Sequence, residues 1–428
     1  MNPVLSRIVA AMGAGVLGQA VNIAMQLLSL PLFLHWWDLS QYGQWLMLSA
    51  MPAYLSMADV GMVSTAGNRM TMAMGRGDAA LANRVFHSAT VFMALTCGAL
   101  ALLSVALVLG IGVPGVETTV ERGALMCLCL GVLVSFVGGL ADAMFRASHR
   151  YALGNALGTL VRLGEWIGSV VGLWLGQDLF AVALGGLLMR VAGTVLMAAW
   201  SRRQAMGLQW GVRDAHVAEV RGMARPAMAF MLFPISNAIT FQGLTLLTGH
   251  LLGPAMVTVF NTYRTLARVA VQITATLSHA LWAEFSRLFG QGGAKAMSGL
   301  YARAARLGLF GSLPFSAALY LVGPTLLDWW THGAVPARAD LLAWLLLYAA
   351  ACGAWHIPRV ALMAINQHDG LAQGVVLISI LGFGLSWVLA RQWHVEGIAA
   401  GMTVAEVACA LWCVLSLRKV MTPKGAWA

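Results

Sequence analysis

Six polar residues draw one line along a single apolar stretch of the chain. Asn261, Arg264, Arg268, Gln272, Thr276 and His279 step by 3, 4, 4, 4 and 3, the spacing of one face of an α-helix. Two guanidinium groups one turn apart repel each other unless an anion visits or acids surround them. The planar fork of Arg matches the oxygens of a phosphate or pyrophosphate. The stripe therefore reads as the lining of a hydrated cavity with positive charge at its centre. The competing reading is interhelical bonding, with both arginines paired to acids on neighbouring helices. His279 by itself reads as a satisfied polar group.

The elements that must carry this stripe are set by composition. Hydrophobic residues make up 60% of the 428 and charged residues only 10%, against about 25% charge in soluble domains. Mean hydropathy is +0.78. Lipid is the solvent that fits, and each crossing takes about 20 mostly apolar residues. Twelve such stretches are predicted, at roughly 8–36, 43–67, 84–112, 120–145, 151–176, 178–200, 226–250, 255–283, 301–326, 339–364, 371–391 and 395–417. The expectation is an all-α polytopic membrane protein, with a six-helix lobe over 1–200, a cytoplasmic linker over 201–225 and a second six-helix lobe over 226–428. A weak repeat supports the division: Tyr42-Gly43 opens span two and Gly253-Pro254 opens span eight.

Orientation follows from the basic residues. With the N-terminus inside, 18 Lys and Arg fall on the cytoplasmic side and three (Arg122, Arg338, Arg391) outside. Both termini are expected inside a bacterial inner membrane. The net charge of +10 is then a topology signal and an attraction to anionic lipid, not a nucleic-acid footprint.

Charge inside lipid costs about 2.5–3.5 kcal/mol on insertion scales, so such groups face water or a partner. Arg162, Arg190 and Arg359 join Arg264 and Arg268 as deep arginines and anion-binding candidates, beside the deep acids Asp59, Glu165 and Glu406. Arg162 and Glu165, three apart, are expected to form a structural ion pair. Arg190 has no partner nearby in sequence and needs one in space. Asp59 interrupts span two in Ala58-Asp59-Val60-Gly61 and could partner a cavity arginine or hold a coupling cation. Asn22 and Gln26, with Gln19 and Ser29, make a shorter neutral stripe that suits sugar hydroxyls and helix–helix bonds equally. Gly164, Gly168, Gly172 and Gly176 form a ridge along which a neighbouring helix can approach closely.

Several motifs carry nothing here. Gly13-x-Gly15-x-x-Gly18 matches a dinucleotide fingerprint by letter but has no preceding strand. No phosphate loop, zinc motif or nucleophile–base arrangement is present, and the six cysteines read as small buried apolar residues. No cofactor and no metal are expected.

Longer strings resemble a family. They run Gly18-Gln19, Leu30-Pro31, Gln41-Tyr42-Gly43-Gln44-Trp45, Tyr54-Leu55, Ala58-Asp59-Val60-Gly61 and Gly75-Arg76-Gly77-Asp78, then Asn261-Thr262-Tyr263-Arg264 and Ala280-Leu281-Trp282-Ala283-Glu284-Phe285-Ser286. The chain resembles the polysaccharide-export, O-antigen-flippase-like branch of the multidrug/oligosaccharidyl-lipid/polysaccharide (MOP) flippase superfamily, departing from it at Ala283, where relatives commonly carry Pro. The resemblance implies two six-helix lobes in a V shape that open to one side at a time. It implies an undecaprenyl-pyrophosphate-linked oligosaccharide as substrate, membrane lipid and other polysaccharide assembly proteins as partners, and a monomer. Coupling to protons, sodium or the membrane potential stays open. The alternatives are a cation-coupled multidrug exporter of the same fold and a membrane-embedded glycan polymerase or glycosyltransferase.

Overall fold

In lipid every backbone N–H and C=O must be bonded within the protein, which leaves helices as the spanning element for this composition. The computed structural model describes residues 3–113, 115–204, 207–365 and 369–421, and among the described residues there is no β-strand. The helices are α1 (Pro3–Trp36), α2 (Leu39–Ala50), α3 (Met62–Gly75), α4 (Ala79–Val105), α5 (Thr119–Ala147), α6 (Tyr151–Gly176), α7 (Leu179–Gln204), α8 (Val217–Ala238), α9 (Leu244–Leu252), α10 (Pro254–Thr331), α11 (Ala339–Ala364) and α12 (Asp369–Met421). Among the described residues, ten stretches are long and apolar enough to cross a membrane.

Two of these elements double back on themselves. α10 runs over 78 residues and takes in two of the predicted stretches, 255–283 and 301–326. A straight helix at 1.5 Å per residue would hold Leu266 and Gly323 about 85 Å apart. Instead a Cβ built on Gly323 would lie 3.5 Å from Leu266 Cδ2, and Tyr263 Oη donates to Pro336 O at 3.0 Å. The two limbs of α10 are therefore antiparallel. In α12 the reversal is local: Trp393 and His394 leave helical geometry, His394 with φ 48° and ψ −129°. Gly397 then packs on Leu389, Gly401 on Ser386 and Gly382 on Ala405. With α12 and α10 each holding two limbs, helices cover all twelve predicted stretches.

The chain forms two compact units, Met1–Trp37 with Leu48–Met231, and Asp38–Met47 with Leu232–Ala428. In the first, α3, α4 and α5 close around Met62, Met70, Phe86, Phe136 and Met144. Residues within the expected linker, 201–225, bond to this unit. Asn83 donates to Gly207 O and accepts from Gln209 N, His87 bonds Gln209 O, Ser88 accepts from His216 N, and Arg69 pairs with Glu219 at 2.8 Å. Trp210 packs edge-on against Phe86.

The second unit takes in a short piece of span two. Thr258 Oγ1 donates to Leu39 O at 2.7 Å, and Gly43 lies so close to Pro254 that a Cβ would sit 1.8 Å from its carbonyl oxygen. The two landmarks of the sequence repeat, Tyr42-Gly43 and Gly253-Pro254, thus pack on each other. The rest of this unit's core joins Phe285, Met297, Trp355, Val360, Leu371 and Cys413 from α10, α11 and α12.

Candidate functional site

Arg264 is fixed by a defect in the neighbouring helix. Between α8 and α9 the chain winds as a π-helix over Ile239–Gly243, and such a bulge takes carbonyls out of the α-helical ladder. Phe241 O accepts from Arg264 Nη1 at 3.0 Å and from Thr245 Oγ1 at 2.8 Å. Arg264 Nη2 donates to Thr245 Oγ1 at 2.8 Å and to Asn261 Oδ1. Arg264 is only 7% exposed, and its guanidinium stands 5.3 Å and 5.0 Å from the ring centres of Phe241 and Phe260. Its charge meets neutral acceptors and aromatic faces alone. Among the described residues no carboxylate touches it.

Arg268, one turn on, is exposed and lies 5.6 Å from the Phe241 ring. It makes no ion pair among the described residues. The pairing with neighbouring acids considered for both arginines is therefore not formed there. Nor are the two placed alike: Arg264 is held by Phe241, Thr245 and Asn261, and Arg268 is exposed. Further along the stripe Gln272 is half-buried. The side chain of His279 lies outside the described residues.

Arg359 belongs to a second cluster in the same unit. Its guanidinium stands 5.0 Å over the Trp355 ring, and its buried Nε has no partner among the described residues. Trp355 Nε1 donates to Glu406 Oε1 at 2.6 Å, and the Cys352 thiol donates to the same oxygen at 2.8 Å. Trp355 thus sits between a cation on its face and a carboxylate at its edge. Sequence reasoning names Glu406 but misses this arrangement. The available signal is the i, i+3 spacing of Cys352 and Trp355, which puts both on one face of α11.

In the first unit the ion pair differs from the one expected. Glu165 bonds Arg190 across α6 and α7, and Arg190 also donates to Gly131 O at 3.0 Å. The cause is the glycine ridge. A Cβ on Gly168 would meet Gly185 O at 2.3 Å, and one on Gly172 would meet Ala181 O at 2.1 Å, so the two backbones nearly touch. That contact carries Glu165 onto α7. Arg162 turns the other way and donates to Thr159 Oγ1 at 3.1 Å.

Arg162 and Arg190 share a cavity of about 360 Å³ with Asp142, Tyr151, Asn155 and Thr194. Gly138, Gly139, Gly154 and Gly158 leave its walls bare. Asp142 is paired with Arg146 at 3.0 Å, one turn along α5, and Arg190 with Glu165, so the net positive charge of the lining rests on Arg162.

Asp59 has a local task. Span two breaks after a 3-10 turn over Ser56–Asp59, with Val60 and Gly61 at φ 51° and 72°. Asp59 Oδ1 accepts from Val63 N at 2.9 Å, closing the first turn of α3. No arginine pairs with it among the described residues. On α1, Ser29 is engaged, donating to Met25 O and accepting from Trp166 Nε1. Asn22 is half-buried and Gln26 exposed.

A family model described as "Polysaccharide biosynthesis protein" matches residues 68–330. The chain belongs to the polysaccharide biosynthesis protein family. This family member has the fold of MOP-superfamily transporters. It superposes on an inward-facing multidrug resistance MATE family transporter of that superfamily with TM-score 0.72, at 14% identity, over 95% of this chain and 100% of that one. A Vibrio cholerae MATE transporter gives 0.65 at 15% identity, over 97% and 96%. A MOP superfamily transporter from Pyrococcus furiosus Vc1, described by the reverse polarity of its binding pocket, gives 0.62 at 13%, over 97% and 95%. No curated protein matches the sequence. Family and fold together support a membrane transporter.

Proposed function

We propose that this protein flips an undecaprenyl-pyrophosphate-linked oligosaccharide, a surface polysaccharide or O-antigen repeat unit, from the cytoplasmic to the outer leaflet of a bacterial inner membrane by alternating access. One observation carries the proposal: Arg264 and Arg268 stand one turn apart on a membrane helix with no carboxylate against either among the described residues. Such charge is costly in lipid and is kept where an anion uses it. In this reading Arg264 is the fixed source of potential, and Arg268 is the movable positive charge that meets the pyrophosphate. Asn261, Gln272, His279, Asn22 and Gln26 then serve the passage of the sugar hydroxyls, and Arg359 adds to the field.

The orientation with both termini inside places substrate pick-up on the basic side. With the cell interior negative, outward movement of each negative charge gains about 2.3 kcal/mol per 100 mV. Coupling to protons or sodium is not needed for the direction of transport. The cationic character also argues against a drug exporter for cations, since α1 holds no carboxylate over Pro3–Trp36.

The test is the location of substrate in cells. In a deletion strain, lipid-linked repeat units should accumulate on the cytoplasmic side of the inner membrane. Accumulation on the outer side would mark a polymerase or ligase defect and overturn the proposal.

A further inference from the structure

The first unit holds a second space beside the cationic cavity. A groove of about 540 Å³ runs between α6 and α7, walled by Leu160, Gly164, Met189, Ala192, Leu196 and Trp200, with Arg203 at one end. Its wall residues are open to the surroundings: Leu160 is 59% exposed and Leu196 69%. Val161 and Met197 line both spaces. One neighbour is therefore polar and cationic, the other apolar and membrane-facing, and they meet at two side chains. Both lie toward the start of α6 and the end of α7, the end that bears Arg150, Arg202 and Arg203.

A headgroup alone explains the cavity, and an alkyl chain alone explains the groove. An amphiphile whose anionic head is attached directly to a long apolar chain uses both. The cavity favours an anionic head: Arg162 makes a single side-chain bond, to Thr159, and Arg190, though paired with Glu165, keeps a buried Nε without a partner among the described residues. Gly164 and Gly193 keep the groove wide where the two helices face it.

The geometry points to a prenyl-pyrophosphate entry site within the first unit, with the pyrophosphate against Arg162 and Arg190 and the isoprenoid tail in the α6–α7 groove. This rests on the flippase reading and locates where the carrier lipid is first held. Entry at this site selects the carrier by its head and tail before the sugar is handled.

The experiment is binding of farnesyl pyrophosphate to the purified full-length protein in detergent, with inorganic pyrophosphate and farnesol as head-only and tail-only probes. Wild type should bind farnesyl pyrophosphate at least about tenfold tighter than either fragment. Arg162→Gln should weaken farnesyl pyrophosphate about tenfold and leave farnesol unchanged. Gly164→Phe and Ala192→Trp, which fill the groove from opposite helices, should each weaken farnesyl pyrophosphate and farnesol but not inorganic pyrophosphate. Circular dichroism and gel filtration identify any variant that has lost its fold, and the two groove variants back each other. If wild type binds tightly and all three folded variants bind equally well, the site is wrong and the flippase reading stands. If wild type prefers farnesyl pyrophosphate over neither fragment, both fall.

Discussion

Glu165 takes its ion-pair partner from the next helix, Arg190 on α7, and not from Arg162 one turn away on its own helix. The pair is mostly buried, with side-chain exposures of 21% and 29%. Removing the acid leaves Arg190 uncompensated. Glu165→Gln should lower stability by about 2 kcal/mol, read as a fall in thermal midpoint of the purified protein. Arg162→Gln should leave that midpoint within about 0.5 kcal/mol of wild type. Equal losses in the two variants would reassign the partner.

The close approach of α6 and α7 makes a second prediction about stability. A methyl at position 185 would lie 2.2 Å from Gly168 O, so Gly185→Ala should cost about 1–3 kcal/mol through overpacking. Gly98 on α4 has nothing within 4 Å of its missing Cβ. Gly98→Ala should be neutral or stabilise by about 0.5–1 kcal/mol. The comparison of the two midpoints checks the helix contact directly.

These two cases show what was legible in the sequence. The glycine spacing announces that some helix packs closely on α6, and the polar stripe picks out the helix that carries Arg264. Neither says which neighbour arrives. Periodicity describes one helix at a time, so Arg190 as the partner of Glu165 becomes visible only once Gly168 meets Gly185. The same limit hides the role of Phe241, because no spacing rule marks a π-bulge whose carbonyl needs an outside donor. The placement of Asp38–Met47 in the second unit, and the docking of residues 207–219 onto α4, depend on tertiary contacts made by Thr258, Gly43, Asn83 and His87.

Glu406 gives a third prediction. It accepts from Trp355 Nε1 and the Cys352 thiol, and Trp355 also carries Arg359 on its face. Glu406→Leu leaves a buried indole N–H unsatisfied and should cost about 1–3 kcal/mol. It should also change the tryptophan emission of the folded protein. Trp355→Phe combined with Glu406→Leu should recover part of the loss, since both polar partners are then gone. No recovery would mean that the bond is not what the site depends on.

The two arginines of α10 should respond differently to lysine. Arg264 reaches Phe241, Thr245 and Asn261 from one planar group, and a point-like ammonium cannot serve all three. Arg264→Lys should reduce surface-glycan assembly at least about tenfold in a complementation assay. Arg268→Lys keeps the charge and breaks no hydrogen bond to a described residue, so it should retain most activity. The reverse order would exchange their roles.

The central claim is that positive charge on α10 carries an anionic lipid-linked glycan across the membrane. The most direct measurement is surface glycan in a deletion strain complemented with Arg264→Ala plus Arg268→Ala, alongside the amount of variant in the inner membrane. The account predicts normal membrane levels of the protein and no surface glycan, with lipid-linked repeat units held on the cytoplasmic side. Wild-type glycan levels in that double variant would contradict it.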